Sequence, residues 1–105
     1  MLRRGDVIQV QYGGNGRIPF IVLSETAFNQ RSGTVIGVVA ERASETIGAP
    51  LAVQLSVHDE GHPIYARPSQ IHTISQGKCD MQPIAHITQP ELDAIVRALN
   101  ELVKG

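Results

Sequence analysis

With 105 residues, nine Lys and Arg against ten Asp and Glu, and a formal charge of −1, this sequence has room for one small hydrophobic core and carries no global basic field. A single cysteine, Cys79, excludes an internal disulfide and a multi-cysteine metal site. No apolar stretch approaches the roughly 20 residues that a membrane helix needs, and no charged leader followed by an apolar run opens the sequence, so a cytoplasmic setting with no membrane contact is expected.

Residues 1–105 are expected to form a single domain. The charges are unevenly placed. Arg3, Arg4, Arg17, Arg31 and Arg42 crowd the first 42 residues against only Asp6, Glu25 and Glu41, and the remainder leans acidic. Any polyanionic partner would therefore meet a local basic patch on the N-terminal side.

In chain order, residues 7–12 (Val-Ile-Gln-Val-Gln-Tyr) mix β-branched and polar side chains as a half-buried strand does, and Gly13-Gly14-Asn15-Gly16 then forces a turn. Residues 20–23 form a continuous apolar run, which predicts a strand buried on both sides or part of a tightly closed sheet, with Pro19 at its start or on an edge. Residues 34–39 predict a third central strand. Residues 42–50 are small and polar and read as a loop. Leu51, Val53, Leu55 and Val57 alternate, giving one buried and one wet face. Asp59-Glu60-Gly61-His62-Pro63 turns the chain into a strand at 64–67, and short strands are expected around 70–74 and 81–85.

One helix is predicted near the C-terminus. Thr88 is its N-cap, Pro90 lies in its first turn and Glu91 completes a Thr-x-x-Glu capping box; Leu92, Ile95, Val96, Leu99, Leu102 and Val103 follow at helical spacing. Many short strands closed by one amphipathic helix imply a mainly β fold, a small and strongly curved barrel-like sheet with the helix laid on it.

An Arg4-Gly5-Asp6 strand opening, a glycine loop, a strand running from Pro19 to Ser24, Phe28-Asn29 before a third strand, Gln70-Ile71-His72-Thr73-Ile74 and a C-terminal helix occur here in one order and spacing. That arrangement resembles the MazF/PemK/Kid toxin family over nearly the whole chain. The resemblance implies an SH3-like barrel of the MazF/CcdB type, a homodimer, and neutralisation by a cognate antitoxin whose disordered tail wraps the dimer. It further implies a sequence-specific, metal-independent endoribonuclease toxin. Its reaction on single-stranded RNA is attack of a ribose 2′-OH on the adjacent phosphodiester, leaving a 2′,3′-cyclic phosphate and a 5′-OH. No cofactor is implied.

Such a reaction needs a base for the 2′-OH, an acid for the leaving 5′ oxygen and positive charge on the phosphorane. The family's usual Arg directly before the strand-opening Pro is Ile18 here, with Arg17 one residue earlier. A one-residue shift turns a strand side chain to the other face, so Arg17 serves the phosphate only if the junction with the glycine loop is irregular. Glu41 stands where the family has a phosphate-binding Thr, with Ser44 and Thr46 on the following loop as alternative hydroxyl donors. His72 and Ser75 replace a family Arg and Asp. Arg17 as phosphate ligand, Glu41 as base and His72 as acid form the expected catalytic set; a surface Arg, a loop Glu and an edge-strand His are the structural alternative.

RNA-binding candidates are Tyr12, Gly14, Asn15, Asn29, Ser44, Thr46 and Gln70. Tyr12 suits base stacking or barrel packing equally, and Gly14 and Asn15 belong to a loop that permits close backbone approach. Asn29 and Gln70 could bond base edges or serve turns and strand edges. Phe20 and Phe28 are expected in the core. Ser24, without nucleophile-elbow glycines, reads as a helix or turn cap. His58 and His62 flank a Gly-Pro turn and cannot share a helical face, so no metal site is assigned. Two rival readings are a catalytically degenerate member that still binds RNA or antitoxin, and a CcdB-type gyrase inhibitor. The absence of Trp and the Val103-Lys104-Gly105 end count against the latter.

Overall fold

The structure, a computed structural model, describes residues 1–14, 16–42 and 51–104. Its elements are β1 (Asp6–Gln11), β2 (Arg17–Val22), α1 (Thr26–Ser32), β3 (Thr34–Arg42), β4 (Val53–Asp59), β5 (His62–Ser75), a 3₁₀ turn (Gln76–Lys78), β6 (Ala85–His86) and α2 (Gln89–Lys104). The strands form one antiparallel sheet in the order β4-β5-β3-β2-β1-β6, nearly closed into a barrel.

The apolar runs of β1 to β3 are buried on both faces. Val7, Ile21 and Val38 join Leu55, Ile64, Leu92 and Ile95 in one cluster beneath α2. Their neighbours Ile8, Phe20, Val22 and Val39 join Leu2, Val35 and Ile74 in a second cluster on the opposite side. Successive strand residues point to opposite faces, so only a strand with two cores beside it can be continuously apolar. Gly37 makes the close approach of β2 and β3 possible. A Cβ there would lie 2.0 Å from the Ile21 carbonyl oxygen and 2.7 Å from the Phe20 ring.

Three expectations from the sequence need correction. The strands expected separately at 64–67 and 70–74 are one 14-residue strand, β5, because Pro68 does not end it. The ladder with β3 instead shifts: Ala40 faces Ala66 and Val38 faces Ile71, so the four residues 67–70 stand opposite Val39 alone. Pro68 has no N–H to give the ladder, and bulging the chain around it re-aims the residues on either side. The strand expected at 81–85 is reduced to Ala85–His86, which pair with Asp6 and Val7.

The second correction is α1, a seven-residue helix that no periodicity signalled. Its N-cap, Glu25, makes no side-chain cap bond, and its buried residue is polar Asn29. Phe28, expected in the core, lies on its outer side and is 41% exposed. Third, Leu92, Ile95 and Ala98 of α2 are buried, whereas Val96, Leu102 and Val103 remain exposed. The capping box forms as expected: the Glu91 N–H donates to Thr88 Oγ1 at 3.3 Å and the Thr88 N–H to Glu91 Oε1 at 2.8 Å. The Ser56 N–H donates to the other Glu91 oxygen at 2.6 Å, pinning the start of α2 to β4. Among the described residues no helix is long and apolar enough to cross a membrane.

Candidate functional site

Where β1 ends, β2 begins and the β5 bulge faces the end of β3, the sheet opens into a cleft of about 530 Å³. Ile18, Pro19, Val39 and Ala40 supply its apolar part, and Tyr12, Arg17, Glu41, Arg42, Asp59, Arg67 and Gln70 its polar part. Among the described residues the lining sets three guanidiniums against two carboxylates, a net positive balance that the whole sequence does not have.

The deepest charged pair is Glu41 with Arg67. Arg67 Nη1 donates to Glu41 Oε1 at 2.7 Å, and both side chains are three-quarters buried, each 25% exposed. Glu41 is the second-last residue of β3, and Arg67 is the first residue of the bulge, so the register shift is what brings the two together. Arg67 Nε is buried and has no hydrogen-bond partner among the described residues. Arg42 lies on the rim and pairs with Glu60 and Asp59. Asp59 is itself buried and accepts from Gln9 Nε2 at 2.8 Å.

Arg17 borders the cleft from the first position of β2, where it pairs in regular register with Gln11 of β1. Gly16 has φ +73°, and Arg17, Ile18 and Pro19 in succession all border the opening. Its exposed guanidinium lies 3.4 Å from Asp80 Oδ2.

Tyr12 belongs to this cleft and also to a smaller one of about 210 Å³, whose other residues include Gly13, His72, Ser75 and Lys78. The Tyr12 hydroxyl is 2.8 Å from His72 Nε2, and the two rings meet edge-on with centroids 4.9 Å apart at 63°. Gln70 Oε1 lies 3.5 Å from the same ring nitrogen.

The structure thus brings Arg17 and Glu41 to one cleft together with Tyr12 and Gln70. His72 lines the second cleft, so the expected direct assembly of Arg17, Glu41 and His72 is replaced by one in which Tyr12 stands between His72 and the other two. Gly14 is exposed with open space around it. Asn15, Ser44 and Thr46 lie outside the described residues. Asn29 cannot read a base edge: it is 1% exposed, its Nδ2 donates to the Leu2 and Ser24 carbonyls at 3.1 and 3.2 Å, and its Oδ1 accepts from Ser24 Oγ. Ser24 is correspondingly no helix cap. Its Oγ also accepts the Ile36 N–H at 2.9 Å, clasping α1 to β3.

Burial pushes the half-buried Cys79 thiol above its ordinary pKa, which disfavours the thiolate. Among the described residues no group of three or more His, Cys, Asp and Glu could hold a metal ion.

Arg67 and Asp59 are cleft residues that the sequence reading passed over, and Arg42 entered it only as one cation of the N-terminal basic patch. A trace of the first existed: a Pro inside a strand pattern marks an edge or a bulge, and the side chain before it is then free to leave the regular alternation.

A family model described as "PemK-like, MazF-like toxin of type II toxin-antitoxin system" matches residues 3–103. Among solved structures, an endoribonuclease in complex with its cognate antitoxin from a mycobacterial species superposes with a TM-score of 0.80 at 22% identity, over 99% of this chain and 96% of that one. A chain of the MazE-MazF structure from Deinococcus radiodurans gives 0.80 at 19% identity over 98% of this chain and 95% of that one. The Mycobacterium tuberculosis toxin MazF-mt6 gives 0.78 at 13% identity over 94% and 96%. No curated protein matches the sequence. With a family match spanning all but the extreme termini, on a barrel of the same topology, this chain belongs to the PemK-like, MazF-like toxins of type II toxin-antitoxin systems.

Proposed function

We propose that the chain is a sequence-specific endoribonuclease toxin that cuts single-stranded RNA in the cytoplasm, with chemistry in the Arg17–Glu41 cleft and without a metal ion. The observation that carries this reading is the cleft itself, which joins a carboxylate, several guanidiniums and a phenol hydrogen-bonded to an imidazole. Glu41 takes the 2′-OH proton as the 2′ oxygen bonds to phosphorus. The bond from phosphorus to the 5′ oxygen breaks, and that oxygen takes a proton from the Tyr12 hydroxyl. Protonated His72 replaces it through the 2.8 Å hydrogen bond. Arg17 at the mouth offsets the developing charge. The products are a 2′,3′-cyclic phosphate and a 5′-OH, and water is not consumed. Tyr12 and Gln70 also border the cleft where unpaired bases would lie, which suits stacking and edge recognition.

The test is cleavage of a long natural RNA in excess EDTA, with the cut sites mapped and the ends identified. The expected ends are a cyclic phosphate and a 5′-OH, and a 2′-deoxy substitution at a mapped site protects it. Cutting of that substituted RNA would sink the mechanism. With Glu41 as base, Glu41→Gln lowers the single-turnover rate by about 10²-fold, the usual contribution of a positioned base.

The partners proposed are a cognate antitoxin and a second copy of the chain. Ile71, Val96, Leu102 and Met81 are large apolar side chains left exposed in one subunit, and a second copy would cover part of that surface. Sedimentation at micromolar concentration is expected to report a dimer; a pure monomer overturns that part. A second reading, a binding protein that no longer cuts, draws on the Glu41–Arg67 pair, because a carboxylate at the cleft repels phosphate. Intact RNA together with retained antitoxin binding would establish it.

A further inference from the structure

We propose that Arg67 is a phosphate ligand of the cleft, and that Glu41 holds in the free chain the place that a phosphodiester takes when RNA binds. The inference rests on the reading of the cleft as the RNA site and names the group that receives the phosphate there.

Arg67 is built unlike the other cations of the cleft. Arg17 is largely exposed and leans on surface Asp80. Arg42 is on the rim with Glu60 and Asp59. Arg67 alone of the three is three-quarters buried, so its field is the least screened by water and salt. It also holds a buried donor that the described residues leave unmatched. Glu41 engages Nη1, while Nε is buried without a partner among the described residues. A buried donor left unmade is costly and rare in a folded protein, and a planar guanidinium is shaped to give two parallel N–H bonds to one oxyanion. A phosphodiester offers two non-bridging oxygens on one centre, the same pattern a carboxylate offers, and it could engage Nε and an Nη together.

The backbone supports the assignment. Residues 67–70 bulge opposite Val39, and Pro68 within them gives up a ladder donor. Such a distortion weakens the β3–β5 ladder, and what it achieves is to send Arg67 and Gln70 into the same opening. Glu41 is then a competitor as well as a base. Its charge keeps the guanidinium in place without RNA and must yield when phosphate arrives.

The experiment uses the full chain, ¹⁵N-labelled, titrated with inorganic phosphate while the arginine Nε–H resonances are followed. The Arg67 Nε–H, assigned by its loss in Arg67→Lys, is expected to show the largest shift, moving downfield as it gains an acceptor. Glu41→Gln, which removes the competing charge and keeps the shape, is expected to tighten phosphate binding about tenfold, the scale of one charge-assisted hydrogen bond. The double variant Glu41→Gln/Arg67→Gln removes both charges together, leaves neither group stranded, and is expected to lose the whole gain. If Arg67 only holds Glu41 in position, Glu41→Gln will bind phosphate like the parent, or the double variant will bind like Glu41→Gln; either result overturns the proposal. The readout needs no RNA cleavage, so failure of the ribonuclease reading and failure of this one are told apart. Cleavage that persists with no Arg67 shift defeats the Arg67 assignment alone, whereas a shift without cleavage defeats the ribonuclease reading alone.

Discussion

The hydroxyl of Tyr12, just beyond β1, and Nε2 of His72, in the last part of β5, lie 2.8 Å apart although 60 residues separate them in the chain. The bond crosses the boundary between the two clefts. It joins an imidazole of the smaller cleft to a phenol that faces the larger one.

If Tyr12 relays the proton, Tyr12→Phe and His72→Ala each slow cleavage by about 10²-fold, the usual contribution of a positioned acid. The double variant is expected to be no slower than the worse single one, because residues acting as one unit are strongly non-additive. Multiplicative losses in single-turnover assays would mean that the two act separately.

Asn29 tests whether polar residues near the N-terminal half are structural. Asn29→Ala strands the Ser24 hydroxyl and removes two bonds to buried carbonyls. The expected cost is about 2–3 kcal/mol, the range for unsatisfied buried polar groups, measured by urea unfolding. Cleavage per folded molecule should be unchanged at low temperature. A selective loss of RNA binding by a fully stable variant would restore Asn29 to the RNA interface.

Gly37→Ala should not yield a folded protein. A methyl group 2.0 Å from the Ile21 carbonyl oxygen has to push β2 and β3 apart in the most buried part of the sheet. Rotation of the Phe20 ring cannot relieve this, since the nearest atom is backbone. Native circular dichroism and a sharp thermal transition in this variant would contradict the packing described.

Glu91 gives an acid-side prediction. Partial burial works to raise its pKa, but hydrogen bonds from the Thr88 and Ser56 N–H groups and the Thr88 hydroxyl overcome that and hold the carboxyl below its ordinary value of 4.5. A group with a lowered folded pKa lends stability that is complete above its unfolded pKa and is lost as pH falls through the folded one. Glu91→Gln should therefore flatten the fall in stability below about pH 4.5 and lower stability at neutral pH. Thr88→Ala should cost about 1 kcal/mol, as loss of a cap does. Parallel acid-unfolding curves for Glu91→Gln and the parent would exclude the carboxylate from this limb.

What the sequence by itself determined is local in origin. The unbroken apolar runs of β2 and β3 required burial on both faces, and Thr88 with Glu91 marked the start of α2, because strand period and cap chemistry act over a few residues. The order of these signals was enough to point to the toxin family.

The chemistry of the site was settled elsewhere. Glu41 meets Arg67 across 26 residues and Tyr12 meets His72 across 60, and both meetings depend on how β5 registers against β3 and on how the sheet curls to bring the end of β1 beside β5. That register shifts around Pro68, where four residues oppose one, and neither propensity nor periodicity encodes the size of a bulge. Asn29 teaches the converse: a polar residue reads as a candidate for base contact until the Ser24 clasp and the Leu2 carbonyl close over it. Side chains far apart in sequence acquire partners only when the sheet curls, and those partners decide whether each is a ligand, a base or a strut.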